Sequence, residues 1–307
     1  MSPSATRAAR GPRGSLTGVA SSFRERLERL AAERRSVLCV GLDPRPELFP
    51  AEVFRGVRDG PAGLARALER FCSGIVEAVA EHAVAVKPQL AFFEQAGHHG
   101  LAAAERVAEL ARERGLLVIA DGKRGDIGST AEAYAAAYLA PRRGAPPFAD
   151  ALTVNPYLGA DSLEPFAEAC RASGGLAFVL VRTSNPGGAD IQELELSDGS
   201  RVWEHVARIV ASLAPVAGAV VGATQPGAVA RARELMPEAT FLLPGVGAQG
   251  GDVEALGPAF APGPAGGLIS ASRSVLYASR DDGTWQGAAA AEAARLRAAA
   301  WGVVESA

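Results

Sequence analysis

Eight short apolar runs, interleaved with longer helical stretches, constrain this chain more than any other feature. The runs are SVLCVGLD, AVAVKPQ, LLVIADGKR, ALTVNPY, LAFVLVRTS, VAGAVVGAT, TFLLPGVG and GGLISASRS. Each is rich in Val, Leu, Ile and Ala without polar alternation, the pattern of a strand covered on both faces in a parallel sheet beneath helices. The stretches between them, such as GLAAAERVAELARERG, carry apolar residues at i, i+3, i+4 and i+7, the period of an amphipathic helix. Eight strand–helix units in 307 residues predict an α/β protein built as a (β/α)8 barrel, a TIM barrel, a fold that needs ~250 residues. A doubly wound dinucleotide-binding sheet is disfavoured, because no GxGxxG follows the first run.

The barrel is expected to occupy residues 21–307 as one domain. Residues 1–20, MSPSATRAARGPRGSLTGVA, hold Arg, Ser, Gly and Pro but no acid. They lack the apolar core of a signal peptide and read as a disordered leader, although their composition overlaps that of organellar transit peptides. The net charge of −3 gives no basic footprint for nucleic acid. No run approaches the ~20 apolar residues of a membrane crossing. Cys39, Cys72 and Cys170 are scattered, without a CxxC pair, and predict reduced thiols in a cytoplasmic protein.

In a barrel the strand ends converge on one face, where active sites of this fold lie. Asp43 ends the first run, Lys87 the second, and Asp121 and Lys123 the third; Ser184 follows the fifth, Gln249 the seventh and Arg273 the eighth. The loops LLPGVGAQGGD and SASRS stand where barrels hold phosphate. Glycines let backbone N–H groups approach an anion, and an arginine binds phosphate oxygens bidentately.

The segment LVIADGKRGDIGST is more specific. Its Asp-x-Lys-x-x-Asp-Ile-x-x-Thr pattern, at Asp121, Lys123, Asp126, Ile127 and Thr130, resembles the signature of the orotidine 5′-phosphate decarboxylase family. VGLDPRPE, VKPQLAFFEQ, TVNPYLGADS, VRTSNPG and LPGVGAQGGD extend the likeness, which is to the family's longer bacterial type (type 2), over about residues 36–281. Gly122 departs from the pattern, where relatives of this type usually carry Ala.

The resemblance implies conversion of orotidine 5′-phosphate to UMP and CO2, the last step of de novo pyrimidine nucleotide synthesis, with no cofactor and no metal. It implies that Lys123 stabilises and protonates the carbanion at C6, that Asp121 lies beside the leaving carboxylate, and that Lys87 belongs to the charge array and contacts the ribose. Asp43 would hold the ribose 3′-hydroxyl, Ser184 the pyrimidine edge, and Gln249 and Arg273 the phosphate. Asp126, with Ile127 and Thr130, would reach the neighbouring subunit's substrate, so the partner implied is a second copy in a homodimer with composite sites. Interleaved opposite charges fit such a role, because each holds its neighbour ionised where an isolated buried charge would neutralise.

Other readings meet physical objections. A Mg2+-dependent sugar-phosphate enzyme of the same superfamily would carry a Glu ligand where Lys87 stands, and a cation there opposes a metal. A Schiff-base lysine should be neutral, favoured by apolar or cationic surroundings, whereas Lys123 is flanked by two aspartates. A non-catalytic nucleotide-phosphate sensor is the third alternative. His98 and His99 lack further ligands at supporting spacing, and FRERLERLAAERR reads as a solvated amphipathic helix capping the barrel.

Overall fold

Each of the eight apolar runs forms a strand, and the strands pair in parallel in chain order until the last meets the first. The computed structural model describes residues 21–142, 145–223, 226–245 and 253–307. The strands are β1 (Leu38–Leu42), β2 (Ala85–Pro88), β3 (Leu117–Arg124), β4 (Ala151–Val154), β5 (Leu176–Arg182), β6 (Ala217–Val221), β7 (Phe241–Pro244) and β8 (Gly267–Ala271). Leu38 pairs with Ile269 and closes the barrel. Crossovers are helical: α2 (Pro61–Val79), α3 (Leu90–Glu94), α4 (Gly97–Glu113), α5 (Gly128–Tyr138), α6 (Glu164–Ser173), α7 (Ala189–Gln192), α8 (Val202–Ser212), α9 (Pro226–Leu235) and α10 (Arg273–Leu276), with α1 (Phe23–Arg34) before the barrel and α11 (Trp285–Ser306) after it.

Strand alternation sorts the side chains into two cores. Cys39, Ala85, Ile119, Phe178, Val220 and Leu268 belong to a buried cluster inside the barrel. Their neighbours one residue along, such as Val40, Val86 and Val118, pack outward against the helices. This double burial explains why the strands read as continuous apolar runs. The helix before the barrel closes its lower mouth: Phe23, Leu27 and Ala31, at i, i+4 and i+8, are buried, and the Phe23 ring meets Phe178 edge-on at 5.8 Å. One face of α1 is therefore core, and only the opposite face is solvated. Its start is fixed by a capping box, in which Ser22 and Glu25 each accept the other's backbone N–H.

Two crossovers are less regular than the rest. Residues 189–201 contain only the short α7 and an isolated bridge between Glu195 and Arg201. Beyond β7, Glu254–Phe260 is 3-10 helix with Pro258 inside it, which removes a donor that a longer α-helix would use. Trp203 and Trp285 are buried, and Trp285 stacks 5.2 Å from Phe71.

Candidate active site

The side-chain alternation that fills the barrel with apolar groups also delivers the charges. Two residues beyond Ile119 on β3 comes Asp121, and two beyond that Lys123; two beyond Ala85 on β2 comes Lys87; two beyond Ala151 on β4 comes Thr153. The polar groups thus form a layer directly above the apolar floor. Lys87 Nζ donates to Asp121 Oδ2 at 2.5 Å, and Lys123 Nζ donates to Asp121 Oδ1 at 2.6 Å. Gln89 Nε2 adds a donor to Oδ2 at 3.1 Å, and the Thr153 hydroxyl adds one to Oδ1 at 2.9 Å. Four donors therefore surround one carboxylate.

Magnitudes show why two cations are needed. Removing an ion from water costs several kcal/mol even after relaxation, while an opposite charge at 4 Å returns about 4 kcal/mol at an effective dielectric of 20. Burial alone pushes the Asp121 carboxyl up, but the Lys87 and Lys123 ammonium groups outweigh it and hold the group well below the usual carboxylate range. Burial alone would lower Lys87; Asp121, then Asp43, reverse this and raise it above an ordinary lysine. Asp121 and Lys87 are thus both ionised at neutral pH. Exposure across the array is graded: the Lys87 and Asp121 side chains are 8% and 7% accessible, whereas Lys123 is 46% accessible and stands at the mouth.

The backbone is bent to place Lys123. The β3–β4 ladder pairs Ala120 with Leu152, then Arg124 with Val154, so four steps on β3 face two on β4. At the centre of this bulge Lys123 has φ +45°, a left-handed conformation unusual for a residue with a side chain. Its N–H donates to Thr153 Oγ1 at 2.9 Å. A methyl group at Gly122 would lie 3.0 Å from Leu90 Cδ1, the mobile end of a leucine, so the alanine of the resembled pattern needs only a small adjustment there.

The remaining sequence candidates that lie among the described residues follow the strand ends with different exposure. Asp43 lies one residue beyond β1; its carbonyl accepts the Tyr277 hydroxyl at 2.9 Å, which in turn accepts the Arg45 N–H at 2.7 Å. Its Oδ1 is buried without a hydrogen-bond partner among the described residues. Ser184 is half-buried beyond β5, and a Cβ at Gly222 would press to 3.0 Å from its backbone nitrogen. Arg273 opens α10 directly after β8 and is exposed. Asp126 accepts the Ile127 N–H at 2.8 Å, and among the described residues no hydrogen bond or ion pair joins it to the array. Ile127 and Thr130 are exposed. Gln249 lies outside the described residues.

Sequence reasoning missed Thr153 and Gln89. A signal existed for both, since each continues the inward face of its strand, Thr153 after Ala151 and Gln89 after Lys87. A second overlooked signal is the lysine count: Lys87 and Lys123 are the only two lysines in the chain, the other 29 of its 31 basic residues being arginine. Arginine cannot release a proton in a protein, whereas lysine can. A cavity of about 1040 Å3 lies elsewhere, between α2 and α4 beside Arg66, Arg70 and Arg106. The perturbed, convergent charges lie at the strand ends instead, and chemistry rather than volume locates the site.

Comparison with known proteins agrees with this geometry. The orotidine 5′-phosphate decarboxylase / HUMPS family profile matches residues 36–287. The orotidine 5′-phosphate decarboxylase of Rhodopirellula baltica is 43% identical over 289 residues, covering 87% of this chain and 95% of its own. That of Deinococcus radiodurans is 45% identical over 267 residues, covering 84% and 90%. The solved OMP decarboxylase of Leishmania donovani superposes with a TM-score of 0.72 at 33% identity, covering 91% of this chain and 99% of its own. With a four-donor carboxylate at the strand ends of a closed barrel and this likeness along nearly its whole length, the chain belongs to the orotidine 5′-phosphate decarboxylase / HUMPS family.

Proposed function

We propose that this protein decarboxylates orotidine 5′-phosphate to UMP and CO2, the closing step of pyrimidine nucleotide synthesis, by electrostatics and one proton transfer. The Lys87–Asp121–Lys123 array carries this reading. Loss of CO2 breaks the C6–carboxylate bond and leaves the electron pair on C6, in the ring plane, where no carbonyl delocalises it. A preorganised ammonium aimed at that position stabilises the developing charge without reorganisation, usually the largest catalytic contribution. Lys123, the exposed member, then gives its proton to C6 and regains one from water. Asp121 pairs with both lysines and stands beside the departing carboxylate. No step calls on a metal or cofactor.

The rim residues take the substrate's remaining groups. Asp43, with a buried oxygen lacking a partner among the described residues, and Lys87 receive the ribose; Ser184 receives the pyrimidine edge; Gln249 and Arg273 receive the phosphate. Phosphate lies far from C6, so its binding energy assists the reaction by assembling the site. The protein acts as a cytoplasmic homodimer in which Asp126 and Thr130 complete the partner's site. Supporting this, the loops beyond β3 and β4 are joined by an Asn155 N–H to Arg124 carbonyl bond of 2.8 Å, and there Ile127, Tyr157 and Leu158 stand 59%, 77% and 49% accessible, an apolar face suited to association.

The family's sugar-phosphate branch is less well supported: Lys87, buried against Asp121, places an ammonium where a Mg2+ carboxylate ligand would be wanted. The test is loss of the orotate absorbance when purified protein meets orotidine 5′-phosphate, with and without a chelator. Chelator-insensitive loss with stoichiometric CO2 establishes the activity. A folded protein that binds UMP without turnover would overturn it.

A further inference from the structure

We propose that Thr153 is the positioning residue of this site: its hydroxyl holds the backbone of Lys123 in the left-handed turn that aims the ammonium at the substrate. The inference rests on the proposed decarboxylation and assigns a role to a residue outside the motif.

The hydrogen-bond polarity allows no other arrangement. The Lys123 N–H can only donate, so Thr153 Oγ1 is its acceptor at 2.9 Å. The single hydroxyl proton is then free to go to Asp121 Oδ1, also at 2.9 Å. Lys123 Nζ donates to that same Oδ1 at 2.6 Å. Backbone N–H, hydroxyl, carboxylate and ammonium therefore form a closed ring in which the lysine is held at both ends.

The position in the sheet explains why a side chain does this work. Between the Ala120–Leu152 and Arg124–Val154 pairings the regular β3–β4 ladder is interrupted, and Thr153 is the β4 residue inside that interval. Its hydroxyl replaces the missing ladder partner for an N–H that the bulge would otherwise strand. At 1% accessibility no water can substitute. A left-handed lysine persists only where its surroundings over-determine it, and Thr153 supplies the contact from the facing strand. Thr153 need not touch the substrate; it acts through Lys123 and Asp121.

Valine matches threonine in shape and lacks the hydroxyl, so Thr153→Val removes the ring's hinge, while Thr153→Ser keeps it. Thr153→Val is expected to lower kcat by about 10²-fold, the scale of a 1 Å misplacement, with KM little changed and with Thr153→Ser close to wild type. A second readout is independent of turnover. Because the chain has two lysines, selective 15N-lysine labelling gives two lysine backbone amide signals. Thr153→Val should shift the Lys123 amide and speed its hydrogen exchange, leaving Lys87 as the internal reference, and Thr153→Ser should do neither. Should the valine variant not fold, Thr153→Cys, of similar volume with a weaker donor, is expected to show the same changes in smaller degree. Unchanged kcat and unchanged Lys123 exchange in the valine variant would overturn the proposal, as would equal losses in the serine variant. Wild-type protein without turnover but with the amide response would overturn the decarboxylase reading and leave the positioning role standing.

Discussion

Lys87 Nζ and Asp121 Oδ2 meet at 2.5 Å with both side chains less than a tenth accessible, so neither charge has water to fall back on. Breaking such a pair by removing one partner leaves an uncompensated buried ion, which costs about 3–5 kcal/mol. Asp121→Ala is the severe case, because it also turns Lys87 and Lys123 toward each other unneutralised. We expect its Tm to fall by roughly 10 °C, read by thermal denaturation. A fall of under ~2 °C would mean that the ammonium groups reach solvent and that the array is softer than its geometry indicates.

The same pair sets the pH dependence of stability. Asp121 has a depressed pKa in the folded state, so its contribution is present above the ordinary carboxylate pKa of ~3.9 and is lost as pH falls through the folded value. Lys87 is raised, so its contribution is present below the ordinary lysine pKa of ~10.4 and is lost as pH rises through its higher folded value. The pair's contribution to wild-type stability should therefore be flat through neutral pH and be lost only at the acid and alkaline extremes, whereas in Asp121→Asn burial acts on Lys87 without its nearest counter-charge and pulls it down. A step in wild-type stability centred near pH 7 and absent from Asp121→Asn, read by denaturation from pH 5 to pH 9, would contradict the assignment of Lys87 and Asp121 as an ion pair.

The fold was legible because the barrel's double burial prints itself on the sequence: Val40 outward and Cys39 inward are both apolar, so each strand is an unbroken run. The charge array was legible for the opposite reason, since Asp121 and Lys123 interrupt such a run on its inward face. Thr153 was legible only as an inward-facing strand residue; its role was not, because nothing in ALTVNPY shows that β3 bulges beside it. The separation of Asp126 from the array was equally invisible: it lies three residues from Lys123, yet in one chain its carboxylate accepts the Ile127 N–H, and among the described residues no hydrogen bond or ion pair joins it to the array. Gln249 lies outside the described residues.

Lys123 itself offers a sharp substitution. Lys123→Ala should reduce turnover below detection while UMP still binds, since the ribose and phosphate partners remain. Lys123→Arg preserves charge but not function, because a guanidinium does not give up a proton at neutral pH; it too should be inactive. The measurement is orotate absorbance loss for both variants beside UMP affinity by calorimetry. Substantial turnover by the arginine variant would show that charge alone suffices and would remove Lys123 from the protonation step.

Scarcity of lysine makes the site chemically addressable. With Lys87 8% accessible and Lys123 46%, an amine-directed acylating reagent should find one side chain, apart from the α-amino group. Inactivation should track acylation of Lys123 by peptide mass spectrometry, and UMP should slow both together. Loss of activity with Lys123 unmodified would place the sensitive group elsewhere.

Whether the site is shared between subunits is decided by mixing two inactive variants. Asp126→Asn and Lys123→Ala homodimers each lack one required group in both sites. In a twofold dimer, a heterodimer of the two has one site with Lys123 from the first chain and Asp126 from the second, and one site with neither. Random reassembly makes half of the dimers mixed with one sound site each, so about a quarter of wild-type activity should return. The exposed Ile127, Tyr157 and Leu158 beside Asp126 supply the apolar face such a dimer would bury. Full-length protein, unfolded and refolded as a mixture or co-expressed with two tags, provides the sample, and tag selection isolates the mixed species. If mixed dimers remain inactive while wild type treated identically recovers, Asp126 serves its own chain's site, and the loop beyond β3 must close inward over Lys123 when substrate binds.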